Sequence, residues 1–365
     1  MSLREHLKDL CLLPAPSGYE QEAGRYLKRF YEEIADEVRT DVSGNVIAKF
    51  ACGKKDARRV MVFAHMDQLG LVVRDVEPDG FLRVERLGGI PEKVLPALQV
   101  LVRTEAGAWI PGIIGNKSHH ITAPEEKYVV TPVKQMSVDI GASSAEEVHA
   151  LGIEVGCPVV YRPHFEELGE HRCAGTSLDN RGGCAAIMEV GEHLAQKHPE
   201  HYDVYLVATV QEEYNLRGGL VAAQQVRPDW AVCLDIVLTG DTPQTRGMLP
   251  VKLGGGPAVG MYNFHGRGTL NGTLPHPLLF EKTVEAAGKL DIPVQRFVST
   301  GILTDASYVQ LVEQGVATID LGFPCRYSHS PVETVDLRDL AQLAALVEEM
   351  VREMPAGAVF ERCYE

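Results

Sequence analysis

The stretch R-R-V-M-V-F-A-H-M-D, residues 58–67, decides the fold class of this 365-residue chain. Its apolar part, Val60 to Ala64, is continuous rather than alternating. Continuous apolar runs are typical of inner strands in a parallel sheet that is covered on both faces. The run ends abruptly in two polar residues, His65 and Asp67. Because ligands of open α/β sheets bind beyond the carboxyl ends of the strands, this stretch predicts a buried strand with a site directly after it.

Helical and strand-like segments alternate on both sides of this stretch. Leucines at helical spacing predict helices over residues 2–36, and a strand is predicted over residues 45–50. After Asp179 the alternation resumes, with predicted helices over residues 181–197, 218–226, 277–290, 305–313 and 337–354 and strands over residues 204–210, 230–235, 293–298 and 317–321. Such alternation indicates an α/β fold with a mostly parallel central sheet between two helical layers.

Residues 70–165 differ from the rest of the chain in composition and in the length of their predicted elements. Gly, Pro and Val dominate, strand-like pieces are short, and one helix is expected after the potential cap Ser143-Ser144. We therefore expect a discontinuous domain made of residues 1–69 and 166–365, interrupted by a β-rich insert at residues 70–165.

Composition disfavours several classes of partner. The chain has 50 acidic and 35 basic residues, a net charge of -15, which disfavours nucleic acid and anionic membrane surfaces. No run of 18 apolar residues occurs, so no spanning helix is expected. The first residues lack an apolar signal region, and the eight cysteines are scattered without a C-x-x-C pair. Free thiols in a reducing compartment, the cytoplasm, are therefore expected.

Side chains able to bind metal follow three of the predicted strands and occur in two loops. They are His65, Asp67, Asp179, Glu212, Glu213, Asp235 and His329. Taken singly, each is most often a helix cap, a solvated charge or a satisfied core residue. Together, at one sheet edge, so many carboxylates are costly unless cations neutralise them.

The ligand inventory fits a site for two metal ions. In this arrangement His65 and Asp235 bind one ion, Glu213 and His329 bind the other, and Asp179 bridges both.

Two further carboxylates at this edge have different expected roles. Asp67, two residues from His65, is suited to orienting the imidazole. Glu212 is suited to act as general base, because a base must lie close to the water whose proton it takes.

Five segments in order resemble a known family. They are A-H-M-D-Q-L-G (64–70), S-L-D-N-R-G-G (177–183), Q-E-E-Y-N-L-R-G-G (211–219), C-L-D-I (233–236) and R-Y-S-H-S-P-V-E (326–333). This pattern closely resembles the glutamyl aminopeptidase family of di-metal exopeptidases. That family includes FrvX-like proteins, the tetrahedral TET-type aminopeptidases and proteins once labelled endoglucanase M. The resemblance runs over nearly the whole chain.

The resemblance implies a fold and a set of site residues. The fold is a three-layer α/β/α zinc-peptidase domain, interrupted by a β-barrel-like domain used in dimerisation and assembly. The implied metal ligands and base are the same as those assigned above from chemistry, namely His65, Asp179, Glu213, Asp235 and His329 as ligands and Glu212 as base.

The resemblance also implies an activity and partners. The expected enzyme is a metal-dependent aminopeptidase that hydrolyses the N-terminal residue from short peptides, using a water bound by two divalent ions. Zinc is the expected metal, with cobalt or manganese as alternatives because His and carboxylate ligands accept all three. A homo-oligomer is expected, with a dodecamer built from dimers as one form.

Three residues are candidates for substrate binding. Asp305 lies in Leu303-Thr304-Asp305-Ala306-Ser307, where the family has Gly-Thr-Asp-Ala-Gly, and either lines a specificity pocket or caps a helix. His119 and His120, which follow Lys117-Ser118 where relatives often have Lys-Pro, either reach an active site from the insert or lie in a surface loop.

Several other functions are compatible with part of this set of residues. A glycoside hydrolase would need two carboxylates, such as Glu212 and Asp235, but leaves His65, Asp179 and His329 without a role. An amide deacylase or a carboxypeptidase-like hydrolase shares the ligand chemistry. A non-catalytic binding or assembly protein would not need the complete set of ligands and base. The order and wording of the five segments favour the aminopeptidase.

Overall fold

The computed structural model describes residues 1–265 and 272–362. Within these residues the helices are α1 (Leu3–Cys11), α2 (Gln21–Glu32), α3 (Ala145–Ala150), α4 (Leu178–Gln196), α5 (Gly218–Val226), α6 (Pro277–Leu290), α7 (Ala306–Val309) and α8 (Leu337–Glu353). Short 3-10 helices are formed by Glu92–Val94, His119–Ile121, Pro124–Glu126 and Val133–Gln135.

The strands belong to a large sheet and to a barrel. Those of the large sheet are β1 (Glu37–Thr40), β2 (Val46–Phe50), β3 (Arg58–His65), β10 (Phe165–Leu168), β11 (Arg172–Gly175), β12 (Tyr202–Thr209), β13 (Trp230–Leu238), β14 (Ala258–Phe264), β15 (Gln295–Thr300), β16 (Ala317–Arg326) and β17 (Glu333–Asp336). Those of the barrel are β4 (Gly70–Val76), β5 (Leu82–Leu87), β6 (Gln99–Arg103), β7 (Trp109–Ile114), β8 (Ser137–Asp139) and β9 (Pro158–Tyr161).

The large sheet has the order β1-β2-β12-β3-β13-β16-β17-β11-β10, with β14 and β15 branching from β16. Its centre is parallel, since β3 pairs in parallel with β12 and β13, and β13 with β16. Antiparallel pairs extend the sheet toward both ends of this order. The sheet is therefore mixed, and the predicted parallel arrangement describes its centre.

Helices cover both faces of this sheet, which confirms the predicted α/β/α architecture. On one face α1, α2, α4, α6 and α8 contribute to the largest buried apolar cluster. On the other face α5 and α7 pack on the sheet through small and β-branched residues, among them Ala222, Ala223 and Val309. Residues Val60 to Ala64 of β3 are buried between the layers, as their continuous apolar sequence predicts.

The barrel closes in the order β4-β5-β8-β7-β6-β9 and has an apolar core of its own. The β-barrel-like insert is thus confirmed. Its helix α3 starts where the sequence predicts, with the Ser144 hydroxyl accepting a hydrogen bond from the Glu147 backbone N–H at 3.3 Å. The barrel contacts the α/β layers through Trp109, whose Nε1–H donates to Glu22 at 2.7 Å.

Some expectations differ in detail from the structure. Helix α7 spans only Ala306–Val309 instead of residues 305–313, because turns follow it. Five strands of the large sheet, β1, β10, β11, β14 and β17, were not predicted. Free thiols were expected, and the seven cysteines in the described residues are free. Cys363 lies outside those residues.

Among the described helices, none is both long enough and apolar enough to cross a bilayer.

Candidate metal centre

The candidate site lies at the carboxyl ends of three neighbouring parallel strands. His65 is the last residue of β3, Asp235 lies within the C-terminal half of β13, and Glu212 and Glu213 follow β12. Because β12, β3 and β13 are adjacent and parallel, these side chains emerge at one edge of the sheet. All four face the same cavity.

His65 lies at the centre of the first group of ligands. Its Nε2 is 3.1 Å from Oδ1 of Asp179 and 3.8 Å from Oδ1 of Asp235. The same nitrogen is 3.8 Å from Oε2 of Glu212. The His65 side chain is only 2% exposed, so the structure buries an imidazole among three carboxylates.

His329 lies at the centre of the second group. Its Nε2 is 3.6 Å from Oδ2 of Asp179 and 3.7 Å from Oε2 of Glu213. Its Nδ1 is 2.9 Å from the backbone carbonyl of Gly89, in the loop after β5. If Nδ1 carries the proton and donates it to this carbonyl, Nε2 is left as the free ligand atom. A segment contiguous with the barrel strands thereby fixes the orientation of this ring.

Asp179 directs one oxygen to each group, and its own position depends on the backbone around it. Its N–H donates to Oε2 of Glu333 at 2.9 Å, and Oε1 of Glu333 accepts from the His329 N–H at 2.8 Å. The next residue, Asn180, donates from Nδ2 to the Leu234 carbonyl at 2.7 Å. Sequence reasoning assigned no role to Glu333, although it is the last residue of the R-Y-S-H-S-P-V-E segment.

Asp67 lies beneath this edge, fully buried. Its carboxylate accepts hydrogen bonds from the Ser17 hydroxyl at 2.6 Å and from the backbone N–H groups of Glu212 and Glu213. Its Oδ1 is 3.5 Å from Nδ1 of His65. Ser17 was not predicted as part of the site. The signal available in the sequence was its place in the turn between the first two helices.

Burial and mutual repulsion shape the electrostatics of the site. Burial raises the pKa of Asp235 to about 8 and raises the pKa values of Glu212 and Glu213 well above the usual range for glutamate. Burial alone would lower the pKa of His65, but the surrounding carboxylates raise it well above its usual value. A cation in the site would relieve this accumulation of negative charge.

The donor set fits divalent metal ions. Two groups, His65 with Asp179 and Asp235, and Asp179 with Glu213 and His329, each offer ligand atoms that lie within 4.8 Å of one another. In addition, the buried Oε1 of Glu213 has no hydrogen-bond partner. An unpaired buried carboxylate oxygen is costly, and a metal ion would satisfy it. Imidazole and carboxylate ligands suit zinc, cobalt and manganese.

Comparison with known proteins agrees with this geometry. The sequence model of the M42 glutamyl aminopeptidase family matches residues 44–346. The chain belongs to this family. It is 35% identical over 355 residues to the lysyl aminopeptidase of Pyrococcus furiosus. The alignment covers 96% of this chain and 97% of the relative. The match confirms the predicted aminopeptidase function and favours it over the glycoside hydrolase, deacylase, carboxypeptidase and non-catalytic alternatives.

Solved structures of M42-type proteins have the same fold. The aminopeptidase APDkam598 of Desulfurococcus kamchatkensis superimposes with a TM-score of 0.90 at 36% identity, covering 97% of this chain and 95% of that one. The TET1 peptidase of Pyrococcus horikoshii, described as assembling into a tetrahedron or a large octahedral shell, superimposes with a TM-score of 0.85 at 31% identity. This second match covers 97% of this chain and all of that one.

The cavity of this M42 aminopeptidase has a volume of about 620 Å³. Four carboxylates line it, from Asp179, Glu212, Glu213 and Asp235. Among the described residues that line it there is no Lys or Arg. The cavity therefore offers carboxylates and imidazoles as ligands for cations, and no described Lys or Arg to pair with an anion.

The three candidates for substrate binding lie outside the described lining of this cavity. Asp305 is buried beneath the site, where its Oδ2 accepts hydrogen bonds from the Thr209 hydroxyl at 2.8 Å and the Gly219 N–H at 3.1 Å. It does not belong to the described lining of the cavity. His119 and His120 are exposed on a 3-10 helix of the barrel region, away from the acidic cavity of the same chain.

Proposed function

We propose that this M42 aminopeptidase uses two divalent ions, which His65, Asp179, Glu213, Asp235 and His329 would hold. One observation carries the proposal, namely two groups of ligand atoms that share Asp179 at the base of an acidic cavity. The identity of the ions as zinc is proposed from the His and carboxylate ligand set, with cobalt or manganese as alternatives.

The charge of the cavity supports action at the amino end of a peptide. When two divalent ions are bound, their charge balances the four lining carboxylates, and no described Lys or Arg lines the cavity to pair with a terminal carboxylate. A carboxypeptidase would instead need a cationic group to bind the terminal carboxylate of its substrate. We therefore propose short peptides with a free α-amino group as substrates.

Glu212 is the proposed general base. When bound, the metal ions polarise the scissile carbonyl and lower the pKa of water. The Glu212 carboxylate then takes a proton from the attacking water and passes it to the leaving amine. The hydrogen bond from its backbone N–H to Asp67 fixes the turn that carries this carboxylate. Asp67 also faces Nδ1 of His65, and so is proposed to orient that imidazole.

Assembly and location are also part of the proposal. The TET1 peptidase is described as assembling into a tetrahedron or a large octahedral shell, which supports a homo-oligomer here, with a dodecamer built from dimers as one form. We propose residues 70–165 as the domain that mediates assembly, and residues 1–69 with 166–365 as the catalytic domain. In this arrangement His119 and His120 remain candidates for contact with a neighbouring subunit's site. Free thiols in the described residues support a cytoplasmic location.

The proposed function is tested with one peptide in three forms and the metal-reconstituted protein. The free peptide and its C-terminal amide are expected to lose their first residue, while the N-acetylated peptide is not cleaved. Mass spectrometry of the products identifies the bond that is broken. Chelation of the metal should abolish both reactions. Equal cleavage of the acetylated peptide, or cleavage from the carboxyl end, would contradict the proposal.

A further inference from the structure

A second cavity, of about 330 Å³, adjoins the metal-site cavity. We call it the apolar pocket. The two cavities share five lining residues, namely Asp235, Ile236, Leu238, Ile302 and Thr304. A group that occupies the apolar pocket is therefore in reach of a group at the metal ligands.

The walls of the apolar pocket are mainly aliphatic and aromatic. Strand β13, the loop before β14, strand β15 and the loop after it supply the side chains of Ile236, Leu238, Met248, Leu249, Phe297, Val298 and Ile302. Among the described lining residues there is no Lys, Arg or His. Such walls stabilise a buried apolar group and offer no described cation to pair with a negatively charged one.

The pocket also contains the carboxylate of Asp320, which is only 5% exposed. Both of its oxygens are already engaged. Oδ1 accepts a hydrogen bond from the Thr304 hydroxyl at 2.7 Å, and Oδ2 accepts from the Thr273 hydroxyl and from Nδ2 of Asn263. This carboxylate is therefore a satisfied part of the wall rather than a free partner for an incoming cation.

We propose that the apolar pocket receives the side chain of the substrate's N-terminal residue and selects a bulky, uncharged side chain such as that of Leu, Met or Phe. The inference rests on the proposed function, because the first carbonyl of the peptide must lie at the metal ligands. An acidic side chain would meet the carboxylate of Asp320, with no described Lys, Arg or His in the pocket lining to compensate it. A basic side chain would lose its hydration in a pocket whose carboxylate is already satisfied.

The test uses the wild-type, metal-reconstituted protein and p-nitroanilides of Leu, Met, Phe, Ala, Glu and Lys. We expect kcat/KM for at least one of Leu, Met and Phe to exceed that for Ala by about tenfold or more, and those for Glu and Lys by a larger factor. Highest kcat/KM on Lys or Glu would overturn this inference and leave the proposed function intact. No turnover on any substrate with metal bound would overturn both.

A matched pair of variants tests the location of the pocket. Ile302→Asp puts a carboxylate on the border of the two cavities, whereas Val284→Asp makes the same change on the exposed face of α6. Ile302→Asp should raise the ratio of Lys to Leu hydrolysis by about tenfold or more, and Val284→Asp should leave it unchanged. An unchanged ratio in folded, metal-loaded Ile302→Asp would overturn the assignment.

Discussion

The Asp67 carboxylate accepts a hydrogen bond from the backbone N–H of Glu212, with 3.0 Å between nitrogen and Oδ1. The N–H of Glu213 donates to the other oxygen at 3.1 Å. The same carboxylate faces Nδ1 of His65 at 3.5 Å. The buried Asp67 side chain thus fixes the turn that carries Glu212, the proposed base, and Glu213, a proposed ligand. It also contacts the imidazole of His65, a second proposed ligand.

Asp67→Asn tests this arrangement. The amide has one acceptor oxygen in place of two and no charge, so the turn and the imidazole both lose a partner. We expect kcat and metal affinity to fall by about 10- to 100-fold. Ser17→Ala removes only one donor to Asp67 and should have a smaller effect on both quantities. Competitive metal titration and steady-state kinetics measure them, and wild-type values for Asp67→Asn would contradict the proposed role.

Glu212→Gln and Glu213→Gln make the same change at adjacent residues with different proposed roles. Glu212→Gln should keep both metal ions and lose about 10²- to 10⁴-fold in kcat, because a general base contributes on that order. Glu213→Gln should lose metal, because its Oε2 lies 3.7 Å from Nε2 of His329 in the second group of ligands. Elemental analysis of the purified proteins, together with kcat, separates the two outcomes.

The two variants also control for each other. High activity in metal-loaded Glu212→Gln would remove Glu212 from the role of base. Full metal content in Glu213→Gln would remove Glu213 from the ligand set. Loss of metal in both would indicate that the turn after β12 has been disturbed as a whole.

Local patterns in the sequence predict much of the central fold. The expected bounds of α5 and α6, residues 218–226 and 277–290, are those of the structure. Continuous apolar runs identify β3, β12 and β13 because these strands are buried on both faces. The order of pairing in the barrel, β4-β5-β8-β7-β6-β9, was not predictable, since register between distant strands is not a local property of the chain.

In the candidate site, too, some residues were predictable from the sequence and others were not. Residues that follow apolar strands, such as His65 and Glu213, were identified because parallel strands bring their ends together. Glu333 and Gly89 were not identified, although both contact His329, a proposed metal ligand. Gly89 acts through its backbone carbonyl, which every residue type possesses. Neither composition nor spacing marks such a contact, and only the folded chain reveals it.

Gly89→Ala tests the contribution of this loop to the second group of ligands. An added Cβ would lie 3.2 Å from Cε1 and Nδ1 of His329, closer than ordinary contact. The ring must then shift, which weakens both its hydrogen bond to the carbonyl of residue 89 and its alignment as a ligand. We expect about a 10- to 100-fold loss of affinity for one metal ion, measured by calorimetric titration.

Gly288→Ala provides the control for this substitution. Gly288 lies in α6, and an added Cβ there meets no atom within 4 Å. Metal affinity should be unchanged, and stability should rise slightly because Ala favours helix more than Gly. Equal metal affinity in the two variants would show that the Gly89 contact does not orient His329.

Glu20 gives the metal-free protein a dependence of stability on pH. It is buried beside Asp67, and its Oε1 accepts from the N–H groups of Gly18 and Gln211. Burial, with the nearby charge of Asp67, raises its pKa from 4.5 to about 7. Between these two pH values the folded state binds a proton that the unfolded state has released. The contribution of Glu20 to stability is therefore greatest below about pH 4.5 and is lost as pH rises to about 7.

Glu20→Gln removes this dependence while keeping an acceptor oxygen for Gly18 and Gln211. In chelated protein the variant should match wild type near pH 5 and exceed it at pH 8, by at most about 3 kcal/mol in the free energy of unfolding. Glu33→Gln, at an exposed position, should follow wild type throughout. Thermal unfolding of the three proteins from pH 5 to pH 8 measures this. Parallel curves for wild type and Glu20→Gln would show that Glu20 is ionised in the fold at all these pH values.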